Sequence, residues 1–183
     1  MSNTFSDITR INVVGTSGSG KSTISKKLAE AIDSKHIEMD SLFWKSNWVM
    51  ASDEEFFEKL QNAVSPESWV LDGNYDRSRH IKWKRVQLII WVDLPLHITF
   101  WQVFWRTLYR AFSKELLWEN NNNRESFKLS FLSKDSILLW TLTSYRKIKE
   151  RYIGDMQKPE YSHIKFIRLR SKKQIAQFLS EFR

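Results

Sequence analysis

Two hydrophobic periods alternate along this chain, and each change of period marks a predicted element. Residues 11–14 (Ile-Asn-Val-Val) form a short β-type run that stops at a glycine cluster. From Lys21 the period becomes helical, with Ile24, Leu28 and Ala31/Ile32 on one face. Residues 36–39 predict a second strand, closed by Asp40. Ser52 and Glu55 stand at capping-box spacing, where each side chain satisfies the other's unpaired N–H, and Phe56, Leu60 and Ala63/Val64 form the helix stripe that follows. Residues 69–71 and 87–92 read as the third and fourth strands, the latter apolar enough to be covered on both faces. A helix can begin at Pro95, with Trp101, Phe104, Trp105, Leu108 and Phe112 at a spacing that predicts a core face. After a polar break at 120–123, a helix over 136–152 places Ile137, Thr141, Tyr145, Ile148 and Tyr152 on one side, with Gly154 at its end. Residues 164–169 make a fifth strand. Ser171 and Gln174 cap a last helix carrying Ile175, Phe178, Leu179 and Phe182.

Strands alternating with helices predict an α/β fold, a parallel sheet with helices on both faces. Ligands in such sheets sit beyond the carboxyl ends of the strands. The polar residues expected there are 15–22, Asp40, 72–79 and Asp93.

Residues 15–22 (Gly-Thr-Ser-Gly-Ser-Gly-Lys-Ser) match G-x-x-x-x-G-K-[ST] in full. Glycines let the backbone curl so that successive N–H groups face phosphate oxygens, and the helix that opens there adds its positive dipole end. Gly15, Thr16, Ser17, Gly18, Ser19, Gly20, Lys21, Ser22 and Thr23 are therefore the candidate nucleotide site. In it Lys21 reaches the β/γ-phosphates and Ser22 ligates Mg²⁺. The strand before the motif and the amphipathic helix after it are the context that separates a phosphate loop from a plain glycine turn.

Phosphoryl transfer also needs a carboxylate for the metal and one for the acceptor hydroxyl. Asp72 ends an apolar strand, as a Walker-B aspartate would, and is the second candidate metal ligand. Asp40 ends another and is a candidate catalytic and acceptor-binding group. Asp93 is equally explained as a cap for the helix near Pro95. Arg77 and Arg79 follow Asp72 closely and are candidate acceptor-binding residues. Arg106 and Arg110, four apart on one helix face, join Arg124 and Arg146 as candidate catalytic cations, because guanidinium forks neutralise a transferring phosphoryl group without losing a proton. A solvated basic face is the plainer account of the same four. Trp44 and Trp48 lie in a stretch without a clean period, where Trp44 either stacks on an acceptor or packs on the sheet.

Composition narrows the classes. With 183 residues the chain fits one domain spanning 1–183. It has no cysteine, which excludes disulfides, zinc–cysteine sites and thiol nucleophiles. Residues 1–10 lack the apolar core of a signal peptide. The longest apolar run, 88–92, is far short of the ~20 residues needed to span a bilayer. A cytoplasmic protein with no membrane segment is expected. The formal charge of +8 suits nucleic acid or phosphorylated substrates alike.

Taken together, residues 13–23, 36–44 (His-Ile-Glu-Met-Asp-Ser-Leu-Phe-Trp) and 69–75 (Trp-Val-Leu-Asp-Gly-Asn-Tyr) resemble the bacterial DNA topology modulation proteins, relatives of adenylate kinase. Residues 123–126, 133–140 and Tyr145-Arg146 extend the resemblance over nearly the whole chain. It implies a P-loop NTPase, nucleoside-monophosphate-kinase-like three-layer sandwich with a five-stranded parallel sheet. It also implies a helical lid near 110–133, and ATP and Mg²⁺ as cofactors. In adenylate kinases the strand equivalent to 69–72 continues Asp-Gly-Phe-Pro-Arg. Here Asn74-Tyr75 replaces Phe-Pro and the arginine comes later, at Arg77 or Arg79. An aspartate at position 40 is more similar to that of shikimate kinase, which contacts an acceptor hydroxyl. The reading that results is an ATP/Mg-dependent kinase acting on a small-molecule or nucleotide acceptor. The alternative is a nucleotide-dependent DNA-binding regulator, although no nucleic-acid-reading motif is present.

Overall fold

Apolar runs of four to six residues, too short for helices and rich in β-branched side chains, pair side by side to make the centre of the molecule. The computed structural model describes residue 5, residues 7–113, residue 118, residues 122–123 and residues 136–182. The strands are β1 (Arg10–Gly15), β2 (Lys35–Glu38), β3 (Trp44–Lys45), β4 (Val49–Met50), β5 (Trp69–Asp72), β6 (Leu88–Val92) and β7 (Lys165–Leu169). The helices are α1 (Lys21–Ala31), α2 (Met39–Phe43), α3 (Asp53–Ala63), α4 (Arg79–Lys82), α5 (Leu96–Ser113), α6 (Ile137–Asp155) and α7 (Lys172–Ser180). The main sheet is parallel, in the order β2-β5-β1-β6-β7. This is the expected α/β sandwich around a five-stranded parallel sheet. The five expected strands are its five members.

Alternation along the strands divides the core in two. Ile11, Val13, Val70, Leu88, Ile90 and Val92 face α1 and α7, where Ile24, Leu28 and Phe178 cover them. Val14, Trp69, Leu71, Ile89 and Trp91 face the other way, against Phe56, Leu60, Ile148 and Tyr152 of α3 and α6. The Ser52–Glu55 capping box opens α3, and Ser171 caps α7 through the Gln174 N–H, both at the expected residues. The polar Asn12 inside β1 is fully buried but satisfied: its amide donates to the Leu71 and Gly73 carbonyls (3.0 and 3.3 Å) and accepts from the Trp83 indole (3.1 Å).

One expectation needs correction. Met39 and Asp40 do not close β2 but form the first turn of α2. The aperiodic stretch after Phe43 is a small antiparallel hairpin, β3–β4, turning through Asn47 and Trp48 at φ 61° and 59°. The lid segment expected at 110–133 lies outside the described residues, apart from residues 110–113, Trp118 and 122–123.

Candidate functional site

The phosphate loop begins where β1 runs out at Gly15 and ends where Gly20, in the left-handed region at φ 88°, starts α1. No side chain caps that helix and its first turn carries no acidic residue, so its first N–H donors are not taken up by a capping side chain, as an anion site at a helix N-terminus requires. Gly18 is required for a second reason. A Cβ on it would lie 2.2 Å from Cγ2 of Val103 and 2.6 Å from the Thr99 carbonyl. Helix α5 therefore rests directly on the loop.

This contact overturns the expected face of α5. The fully buried stripe is Thr99, Val103 and Thr107, small residues at i, i+4 and i+8 that allow close approach. The expected core residues Trp101, Trp105 and Phe112 are 54%, 61% and 77% exposed. Trp101, Gln102, Trp105, Arg106 and Arg110 instead wall a cavity of about 500 Å³ whose floor is Gly18 and residues 20–23. A guanidinium nitrogen of Arg106 donates to the Ser17 hydroxyl at 3.3 Å. Arg106, Arg110, Lys21 and the loop are thus brought together.

Lys21 Nζ lies 3.9 Å from Asp72 Oδ1, with both side chains mostly buried. That carboxylate oxygen has no hydrogen-bond partner among the described residues. A buried carboxylate oxygen left open beside the loop, with the Ser22 hydroxyl at the start of α1, is a donor set that fits Mg²⁺. This ion takes one or two protein oxygens and completes its shell with phosphate and water. Among the described residues no group of three or more His, Cys, Asp or Glu is gathered for a more protein-rich metal site.

The acceptor candidates cluster one strand away. β2 and β5 pair Glu38 with Asp72, and Gly73 packs against Met39, so Asp40 and Asp72 emerge at the same sheet edge. Tyr75 donates its hydroxyl to Asp40 Oδ1 at 2.7 Å. Burial, then the Asp40 charge, push the phenol well above its ordinary range, so it keeps its proton and donates. Phe43 stands 5.1 Å from both Trp44 and Tyr75, with Trp48 5.5 Å beyond Trp44. Arg77 lies over the rings of Phe43 and Phe56 (4.9 and 5.7 Å) and pairs with Asp53 at 2.9 Å. Asp40, Trp44 and Arg77 are therefore assembled into one aromatic-walled corner.

Other predicted cations are placed elsewhere. Arg79 is committed to the protein interior: its fork grips the buried Asp155 at both oxygens, and its Nε pairs with Asp76 at 2.6 Å. Arg146 projects from the exposed face of α6 onto Glu150 at 2.7 Å, one turn along, and does not join the cluster. Arg124 lies outside the described residues. Asp93, the open case, is held by Arg168, which donates to its Oδ2 at 2.9 and 2.5 Å.

Sequence reasoning missed Asn74, Tyr75, Trp101 and Trp105. Only the first two carried a signal, since they replace the Phe-Pro of adenylate kinases in the motif after Asp72.

Comparison with known proteins bears on the fold. A shikimate kinase from Acinetobacter baumannii, in complex with shikimate, superposes with a TM-score of 0.56 at 15% identity, over 99% of this chain and 94% of that one. A shikimate kinase from Bacteroides thetaiotaomicron gives 0.56 at 12%, over 94% and 95%. A gluconokinase from Sinorhizobium meliloti 1021 gives 0.51 at 15%, over 96% and 90%. The chain has the fold of these P-loop kinases. No family model and no curated protein matches the chain. The likeness to DNA topology modulation proteins rests on the motifs alone.

Proposed function

We propose that residues 1–183 form one ATP- and Mg²⁺-dependent kinase domain that phosphorylates a hydroxyl of a small molecule. The observation that carries this reading is the meeting of two half-sites at one sheet edge. The phosphate loop with Lys21 and Asp72 supplies the donor side, and Asp40 with Tyr75 supplies the acceptor side. Neighbours of the same fold that phosphorylate shikimate and gluconate are in keeping with it.

In this reading the loop N–H groups and Lys21 hold the donor phosphates, and Arg106 and Arg110 close on them from α5. Trp101 and Trp105 line the same cavity, where a nucleobase can stack on them. Bound Mg²⁺, held by Ser22 and Asp72, would offset charge on the phosphate oxygens. Asp40 accepts the proton of the acceptor hydroxyl as its oxygen bonds to the γ-phosphorus and the β–γ bridging bond breaks toward ADP. Arg77, swung from Asp53, can meet an anionic group on the acceptor. A cytoplasmic setting goes with ATP as donor. Among the described residues no helix is long and apolar enough to cross a membrane.

A DNA-binding role would draw on the +8 charge, but no nucleic-acid-reading motif accompanies that surplus. The test is ATP consumption across a broad panel of hydroxylated metabolites. Consumption that appears with one acceptor class and vanishes in Lys21→Ala supports the proposal. Consumption unchanged by that substitution overturns it.

A further inference from the structure

The β1–β5 ladder stops one residue too early for the phosphate loop. Backbone pairing runs to Val13 opposite Asp72, and the last main-chain bond between the two segments is Gly73 N–H to the Val13 carbonyl at 3.2 Å. Beyond it the loop's first residue, Gly15, has no β5 backbone to pair with, because the chain turns away at Asn74 toward the acceptor corner. The Asn74 side chain takes the place of that backbone. Its Oδ1 accepts from the Gly15 N–H at 3.0 Å, and its Nδ2 donates to the Gly15 carbonyl at 2.7 Å. The amide orientation is forced, since a backbone N–H only donates and a carbonyl only accepts. Oδ1 also accepts from the Tyr152 hydroxyl at 3.1 Å, and the Asn74 carbonyl accepts from Lys82 Nζ at 2.7 Å. The residue is thus held from α4 and α6 while it holds Gly15. Its immediate neighbour, Tyr75, holds Asp40.

We propose that Asn74 is a positioning residue for the donor phosphates: its side-chain amide completes the β1–β5 ladder at Gly15 and fixes the first peptide of the phosphate loop. It thereby ties the loop to the Tyr75–Asp40 pair of the acceptor corner. Among short side chains only asparagine offers a donor and an acceptor spaced like a peptide. Aspartate places a second acceptor against the Gly15 carbonyl, and alanine offers neither group. This inference rests on the reading of residues 15–22 as the donor site.

The experiment is calorimetric titration of the full chain with Mg-ATP, below the thermal transition, for wild type, Asn74→Ala, Asn74→Asp and Trp83→Phe. The last removes the Trp83–Asn12 bond under the same strands without touching the loop. Losing two hydrogen bonds to Gly15 should weaken Mg-ATP binding in Asn74→Ala by about tenfold or more. Trp83→Phe should bind like wild type even where its melting temperature falls.

Asn74→Asp carries the reading that a purely structural role would not give. It is isosteric and keeps an acceptor for the Gly15 N–H, but it sets a second acceptor against the Gly15 carbonyl in place of the donor. At one fixed neutral pH it should lose affinity for Mg-ATP and for inorganic triphosphate alike by about tenfold, while its melting temperature falls no further than that of Trp83→Phe.

If Asn74→Ala does not fold, the affinity of Asn74→Asp at the same fixed pH decides. Binding within twofold of wild type in both variants, or equal weakening in Trp83→Phe, overturns the proposal. A wild-type protein that binds no Mg-ATP overturns the donor-site reading itself, and this inference with it.

Discussion

The phenol of Tyr75 donates a 2.7 Å hydrogen bond to Oδ1 of Asp40, joining the turn after β5 to the first turn of α2. The bond occupies one carboxylate oxygen, and in the proposed function the other receives the proton of the acceptor hydroxyl. Tyr75→Phe keeps the ring packed against Phe43 and Phe56, each 5.1 Å away, and removes only the donor. Hydrogen bonds to charged groups contribute about 1.5–3 kcal/mol, so acceptor turnover should fall roughly tenfold to a hundredfold with little change in stability. Asp40→Asn should cost more, about 10²–10⁴-fold, because the proton acceptor itself is lost. Steady-state kinetics on the two variants check both figures.

Exposed tryptophans beside the loop lead to a second expectation. Trp101 and Trp105 share a cavity with residues 20–23, so Mg-ATP should change the indole emission, and Trp105→Ala should remove part of that change. Base stacking on an aromatic ring is worth about 1–3 kcal/mol. Mg-ATP should therefore bind roughly fivefold to a hundredfold more weakly to Trp105→Ala, while inorganic triphosphate, which has no base, binds equally to both proteins. Equal loss for both ligands would place Trp105 in phosphate binding instead.

Arg79 is an interior strut. Its partner Asp155 is almost fully buried, but Asp76 also faces Arg79, so losing Asp155 does not leave that guanidinium without a counter-charge. Asp155→Ala should lower stability by about 1.5–3 kcal/mol in urea unfolding, the worth of hydrogen bonds to a charged group, and leave Mg-ATP binding to the remaining folded protein intact. Arg146→Ala, on the exposed face of α6, should alter neither stability nor nucleotide affinity.

Lys82 gives a pH signature. It is fully buried, and burial, then Arg79 and Arg151, hold its amine well below the ordinary lysine range. The unfolded chain keeps that proton up to about pH 10.4. Between the two values the unfolded state binds more protons, so this group makes stability rise with pH and fall as pH is lowered. The stability of Lys82→Met minus that of wild type should shrink as pH goes from about 7 to 10. A difference independent of pH over that range would show that Lys82 is charged in the folded protein.

What the sequence made legible was local. The phosphate loop, the strand ending in Asp72 and the Ser52–Glu55 cap are set by residues within a few positions of one another, and each appears where it was expected. The face of α5 was not legible in the same way. Periodicity locates an apolar stripe but does not say what covers it, and here the loop's own backbone selects the small stripe of Thr99, Val103 and Thr107. The arginines were harder still, because their fates depend on distant partners. Arg79 differs from Arg77 through Asp155, which only the fold brings near. The Asn74–Gly15 bonds join segments that no local pattern relates. The same turn of chain carries Tyr75 to Asp40, so the acceptor corner was legible as residue types and not as contacts.

The most direct measurement is transfer of labelled γ-phosphate from Mg-ATP into a metabolite extract, read by mass as the one species that gains phosphate. Wild type should label a hydroxylated small molecule; Lys21→Ala should label nothing, and Asp40→Asn should bind Mg-ATP but label the product at a small fraction of the wild-type rate. An extract in which wild type labels no metabolite, or in which Lys21→Ala labels as well as wild type, would contradict the account.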